Sequence, residues 1–240
     1  MTVLVISGTG TGVGKTVVTA AIAALAAERG ERVAVLKPAQ TGVVDAEPGD
    51  LAEVRRLAGA VTTRELRRYP DPLSPEAAAR RCGLDPVTPA EAASAACELH
   101  ATHDLVLVEG AGGLLVRFDP AGGTLADVAW SLGAPLLIVA QAGLGTLNAT
   151  ALTAEVATRR GLDVAGVVIG SWPAEPDLAS RCNLGDLPVA AGAPLLGAIA
   201  EGAAGEQAHR FLEHARYGLS PWFGGEFDPE CFTGRMASPT

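Results

Sequence analysis

Gly8-Thr9-Gly10-Thr11-Gly12-Val13-Gly14-Lys15-Thr16 decides the fold of this chain. The apolar run Val3 to Ser7 precedes it, and a stretch rich in Ala and Leu, from Thr16 to Arg29 and ending at Gly30, follows it. That order predicts a strand, a glycine-rich loop and a helix, with backbone N–H groups and the helix N-terminus converging on an anion. Glycines let the backbone close around phosphates, Lys15 reaches toward the outer phosphates, and the Thr16 hydroxyl completes the coordination of Mg2+. The spacing is a variant of the general G-x4-G-K-T form, because Thr9 holds the first glycine position and Gly8 lies one residue earlier. A metal-bound nucleotide is the expected ligand.

Working outward, Val33 to Leu36 reads as a second strand, so the start of the chain is a strand, loop, helix, strand unit that implies a parallel sheet with right-handed crossovers. Further buried strands are expected at Leu105 to Val108, Leu136 to Ala140 and Val164 to Ile169, each short, apolar and bounded by polar or turn residues. Thr88-Pro89-Ala90-Glu91 has the cap, first-turn proline and third-position acid of a helix start, and Thr124-Leu125-Ala126-Asp127 is a weaker version. The expected architecture is α/β, of the P-loop NTPase type, a mostly parallel sheet flanked by helices on both faces.

Length and composition favour one domain over residues 1–240, since 240 residues with 48% hydrophobic content suit one large core. The net charge of −9 removes the phosphate-neutralising surface that nucleic-acid binding needs. No apolar run approaches the roughly 18 residues of a membrane span, and Met1-Thr2-Val3-Leu4 lacks a basic secretory start, so a cytosolic protein is expected. Cys82, Cys97, Cys182 and Cys231 form no C-x-x-C pair and read as reduced thiols; neither Cys97 with His100 and His103, nor His209 with His214, completes a zinc site. Arg55, Arg56, Arg64, Arg67, Arg68, Arg80 and Arg81, interspersed with acids, read as solvated helix faces. From about residue 203 the chain turns aromatic, with Phe211, Tyr217, Trp222, Phe223, Phe227 and Phe232 among its ten aromatic residues. This tail is expected to pack on the main body or a neighbouring subunit, with Gly234 to Thr240 disordered.

Of the 18 basic residues only Lys15 and Lys37 are lysines, and a lysine retained in an arginine-rich chain marks a place that needs a compact ammonium. Lys37 is read as the end of the second strand, just before Pro38, at the carboxyl edge of the sheet where ligands of open α/β folds bind. Glu109, after Leu105 to Val108 and before Gly110-Ala111-Gly112-Gly113, resembles the acid at the end of a Walker B strand. Asp50 opens an apparent helix, where it either caps the helix or serves the site. Oxygen ligands from Thr16, Asp50 and Glu109 suit Mg2+. At Gly143-Leu144-Gly145-Thr146-Leu147-Asn148 a strand again runs into a helix, which either caps the helix or receives a carboxylate.

Assembled in this order, the motifs resemble the dethiobiotin synthetase family from the first strand to about Glu201. The resemblance rests on the P-loop, Lys37-Pro38-x-x-Thr41-Gly42, Asp50, Ser74-Pro75, Val108-Glu109-Gly110-Ala111-Gly112-Gly113, Gly145-Thr146-Leu147-Asn148 and Pro194-Leu195-Leu196-Gly197. It implies an ATP-dependent ligase of biotin biosynthesis. One amine of 7,8-diaminopelargonate takes up CO2 as a carbamate, the carbamate attacks the γ-phosphate of MgATP, and the other amine closes the resulting anhydride to the cyclic urea.

By the same resemblance, Lys37, Lys15 and Thr11 are the expected catalytic residues. Thr11 and Thr41 hydrogen-bond the substrate head. Gly12, Val13, Gly14, Thr16 and Val17 hold the nucleotide phosphates. Asp50 and the turn Glu109, Gly110, Ala111 and Gly112 line nucleotide and carbamate. Gly170, Ser171, Ala200, Glu201 and Gly202 surround the base. The helix start at Gly145, Leu147 and Asn148 receives the substrate's distant carboxylate from the partner subunit of a homodimer.

Two departures stand out: Gly170-Ser171-Trp172 replaces an asparagine that reads adenine, and Ala200 replaces a proline. They imply weakened nucleobase discrimination, with CTP or GTP competing. A partitioning ATPase would carry a second lysine at position 10, which is Gly10, and a GTPase an Asn-Lys-x-Asp motif, which neither lysine provides. A corrinoid amidotransferase would need a glutaminase domain for which too little chain follows Val164.

Overall fold

β1 (Thr2–Gly8) is buried on both faces, Leu4 and Ile6 pointing into one apolar layer and Val5 into the other. The structure is a computed structural model that describes residues 2–44 and 46–237. The described residues form a seven-stranded sheet in the order β3-β2-β4-β1-β5-β6-β7, every neighbouring pair parallel. The other strands are β2 (Val33–Thr41), β3 (Thr62–Tyr69), β4 (Leu105–Gly113), β5 (Leu136–Ala140), β6 (Val164–Trp172) and β7 (Leu195–Ala200). No helix among the described residues is long and apolar enough to cross a membrane.

Helices cover both faces, as parallel connections require. On the Ile6 side lie α1 (Lys15–Glu28), α2 (Asp50–Ala58) and α8 (Ala208–Gly218). On the Val5 side lie α3 (Pro75–Cys82), α4 (Pro89–His100), α5 (Leu125–Leu132), α6 (Thr146–Arg159) and α7 (Leu178–Ala191). α1 carries the site's loop on its N-terminus. Its alanines at 20, 21, 23, 24 and 26 are buried, so a strong helix former also lets the helix lie close to the sheet. Both sequence-predicted helix starts carry complete capping boxes, Thr88 with Glu91 and Thr124 with Asp127.

The sheet corrects several sequence boundaries. β2 pairs with β4 only as far as Leu36 opposite Val108, then continues against β3 to Thr41 opposite Tyr69. Lys37 is therefore not the end of its strand but stands where β2 and β4 part, facing Glu109, the next residue of β4. Pro38 falls where β2 has lost one ladder neighbour, a position that tolerates a missing N–H. β4 runs on through Gly113 and β6 through Trp172, so Glu109 and Gly170 are strand residues rather than loop residues.

The basic middle is not all helical. Arg55 and Arg56 lie on α2, and Arg80 and Arg81 on α3, but Arg64, Arg67 and Arg68 lie on β3 at the sheet edge, paired with Glu98, Glu91 and Glu65 at 2.6, 2.9 and 2.8 Å. Charged side chains on an edge strand discourage pairing with another sheet. The aromatic tail packs on its own chain through α8, a 3-10 turn at Pro221–Phe223 and α9 (Pro229–Ala237). The disorder expected from Gly234 does not begin there, because α9 includes 234–237; residues 238–240 lie outside the described residues.

Candidate functional site

The P-loop turns between β1 and α1 at the carboxyl edge of the sheet, and beside it opens a cleft of about 670 Å3. Thr11, Gly12, Gly14, Lys15, Thr16 and Val17 line it from the loop, Lys37 and Thr41 from β2, Asp50 from α2, and Glu109, Ala111 and Gly112 from β4. Four separate segments thus meet where the sequence expects a nucleotide. The loop closes tightly because Gly14 caps α1 at φ 93°, with no room for a side chain: a Cβ would lie 2.6 Å from the Gly170 carbonyl oxygen.

At the fork between β2 and β4 the Lys37 ammonium lies 2.5 Å from Asp50 Oδ2 and 2.7 Å from Glu109 Oε1, and donates to the Gly110 carbonyl at 3.2 Å. The Thr16 hydroxyl donates to the same Glu109 Oε1 at 2.9 Å. Lys37 is 3% exposed and Glu109 fully buried, so this charge cluster is held out of water. Burial alone would lower the Lys37 pKa, but the Glu109 and Asp50 carboxylates outweigh it and hold it above the ordinary lysine value. Lys15 donates to the Gly10 carbonyl at 2.8 Å. Burial first, and then the Lys37 ammonium, push its pKa down to about 8, against partial opposition from Glu109 and Asp50. The two lysines therefore feel each other across one cleft.

Asp50 does not cap its helix. Gly49 holds the cap position without a side-chain bond, and the Asp50 N–H is instead accepted by Gln40 Oε1 at 2.8 Å. The carboxylate is left for Lys37. Gln40, buried in β2, was missed by the sequence reading; its place inside Lys37-Pro38-x-x-Thr41 was the available signal. Ala39, Pro72, Leu73, Ser74, Pro75 and Val116 also line the cleft without having been singled out as site residues.

The donor set suits a hard divalent cation. Thr16, Asp50 and Glu109 offer only oxygen, and Glu109 Oε2 is a buried carboxylate oxygen without a hydrogen-bond partner. The fit to Mg2+ rests on that orphaned oxygen and on the proximity of Thr16 to the same carboxylate.

The remaining predicted residues fall in three other places. Val13 and Gly170 lie back to back, so close that a Cβ on Gly170 would collide with the Val13 carbonyl. Ser171 follows on β6, and Ala200 at the end of β7, with Glu201 and Gly202 after it, lies alongside, tied by the Glu201 N–H to the Trp172 carbonyl at 2.7 Å. Gly110 is inside β4, behind the cleft wall. Gly145, Leu147 and Asn148 sit at the N-terminus of α6 and do not line the cleft of their own chain. Gly145 is left-handed there at φ 91°, and Asn183 of α7 donates to the Ala142 and Gly143 carbonyls at 2.7 and 3.1 Å, fixing the approach to that helix.

A family described as an AAA domain matches residues 2–206. The ATP-dependent dethiobiotin synthetase BioD of Streptomyces avermitilis is 64% identical over 232 residues, which is 97% of this chain and 98% of that protein. The protein of the same name from Saccharopolyspora erythraea is 66% identical, over 95% of this chain and 99% of its own length. Among solved structures, the cell division ATPase MinD of Pyrococcus furiosus is similar with a TM-score of 0.54 at 20% identity, covering 89% of this chain and 96% of that one. The cell division protein FtsY of Thermotoga maritima gives 0.54 at 19%, over 99% of this chain and 69% of that one. These structures share the fold alone.

Proposed function

The chain belongs to the ATP-dependent dethiobiotin synthetase family, and from that membership we infer how its own residues carry the reaction. It is a ligase that forms C–N bonds at the expense of ATP, taking 7,8-diaminopelargonate and CO2 to dethiobiotin, a step of biotin biosynthesis. The observation that carries the assignment of roles is the buried cluster of Lys37 with Asp50, Glu109 and Thr16 beside the P-loop.

A carbamate must approach a triphosphate, and two unit charges 4 Å apart repel by roughly 4 kcal/mol at an effective dielectric of 20. Lys37 supplies the ammonium between them. Its two carboxylate partners keep it charged in a site that would otherwise neutralise it, and an anion entering the cleft competes with them for its protons. Lys15, inside the phosphate loop, takes the outer phosphates, while Gly12, Gly14 and Thr16 offer the backbone around them. Thr11 and Thr41, both lining the cleft, hydrogen-bond the diamine head, and Ala111 and Gly112 line the same space. Thr16, Asp50 and Glu109 would hold Mg2+, which when bound draws charge from the phosphate oxygens during transfer.

The segments 170–171 and 200–202 form the subsite for the base. With glycine at 170 the base meets backbone rather than an amide side chain. The N-terminus of α6 takes the distant carboxylate of a diaminopelargonate bound to a second copy of the chain, which makes the enzyme a homodimer. Three facts favour this. α6 begins outside its own cleft; the Thr146 hydroxyl at its first turn is buried without a partner; and Leu144, just before the helix, is 92% exposed, while exposed Leu152 of α6 stands beside exposed Leu115. The test of the reaction supplies diaminopelargonate, bicarbonate and MgATP, and expects one phosphate for each cyclic urea formed. Phosphate release without ring closure would refute the assignment.

A further inference from the structure

The aromatic tail lies directly behind the base subsite. β6 ends in Gly170-Ser171-Trp172, and the Trp172 ring is buried. Its carbonyl accepts the Glu201 N–H at 2.7 Å, and Glu201 Oε2 accepts the Ala174 N–H at 3.4 Å. Trp172 therefore joins the strand end at 170–171 to the loop at 200–202. Against its ring stands Phe232 of α9, with centroids 5.3 Å apart and planes at 72°, the edge-to-face arrangement that aromatic pairs favour. Phe227 packs on Phe232 at 5.1 Å, and its own N–H is held by the Leu219 carbonyl at 2.9 Å. Leu219 in turn bridges Gly197 of β7, so the stack of rings is tied back to the sheet edge it supports.

We propose that Phe232 is a positioning residue for the nucleotide base: through the Trp172 ring it sets the spacing between Gly170-Ser171 and Ala200-Glu201-Gly202. The inference rests on reading those two segments as the base subsite. Neither ring lines the phosphate cleft, so the effect falls on the base and not on the triphosphate.

The test compares Phe232→Leu with wild type for KM of ATP, kcat and inhibition by inorganic tripolyphosphate. Loss of the edge-to-face contact is expected to raise the KM for ATP roughly two- to tenfold, with kcat and the tripolyphosphate constant unchanged. Phe232→Tyr, which keeps the ring, restores the wild-type KM. Phe223→Leu truncates another buried ring of the tail, packed toward α1 rather than Trp172, and leaves the KM where it was although the melting temperature falls. An unchanged KM in Phe232→Leu, or a tripolyphosphate constant that rises in step with it, overturns the proposal. Wild-type enzyme that binds tripolyphosphate as tightly as ATP sinks the base subsite itself, a separate failure.

Discussion

Removing the Lys37 ammonium separates what the cluster does for stability from what it does for chemistry. In Lys37→Ala the fully buried Glu109 keeps only the Thr16 hydroxyl, and Asp50, about one-third exposed, turns to water. Breaking one side of a buried pair costs about 3–5 kcal/mol, largely because a charge is left without its partner. Against the typical 5–15 kcal/mol of a folded domain, the variant remains folded but is far easier to unfold. Lys37→Met with Glu109→Gln removes the stranded charge along with its partner, so urea unfolding should recover most of the lost stability. Turnover should not follow. Both variants lack the ammonium that offsets carbamate and phosphate, and a loss of one such preorganised donor is worth about 10²- to 10³-fold in kcat. Equilibrium binding of a fluorescent ADP analogue to Lys37→Ala should stay near wild type, since Lys15 and the loop backbone are intact. The reasoning fails if Lys37→Ala keeps near-normal turnover, or if the double variant regains it.

Further outcomes are expected at Lys15, at Gly170 and at the α6 N-terminus. Lys15 titrates at about 8 in the ligand-free fold, so kcat/KM for ATP should fall about tenfold per pH unit above that value. Because unfolded Lys15 keeps its ordinary 10.5, the unfolded chain binds more protons between about 8 and 10.5, and ligand-free stability should rise with pH across that window; a flat melting profile there would contradict it. Gly170 leaves the base to the backbone, so CTP and GTP should compete with ATP in initial-rate assays, whereas strong kinetic preference for ATP over both counts against this; Gly170→Asn should weaken nucleotide binding outright, because its Cβ strikes the Val13 carbonyl. Finally, co-refolding Lys37→Ala with Asn148→Glu should regain activity that neither has alone if the α6 N-terminus serves a partner's cleft, and no recovery would place both halves of the site in one chain.

The parts of the molecule that local sequence controls were legible. The loop from Gly8 to Thr16 announces itself because consecutive glycines, one lysine and one threonine do their work within a single turn. The β3 strand did not, because Thr62–Tyr69 carries three arginines and one glutamate, a composition that makes sense only at the margin of a sheet. Lys37 stands out in the sequence for its rarity, but its setting does not: nothing in the sequence marks where β2 and β4 part company, and that divergence is what puts it opposite Glu109. The role of Gln40 was hidden for a similar reason, since its bond to the Asp50 N–H spans ten residues and depends on how α2 returns to the sheet, although its place within the Lys37 to Thr41 motif pointed to it. The link between Trp172 and Phe232 lies sixty positions apart in sequence and could be read only after folding.

A chain with sixteen arginines and two lysines, both at most 8% exposed, has a surface devoid of lysine side-chain amines. Reagents that acylate primary amines should therefore ignore its exterior, apart from a terminal amine, and probe the reaction centre itself. Lys15, readily deprotonated in mild alkali, becomes the natural target when the nucleotide is gone and a protected one when it is present. Mass-spectrometric labelling of this enzyme would thus act as a built-in occupancy gauge.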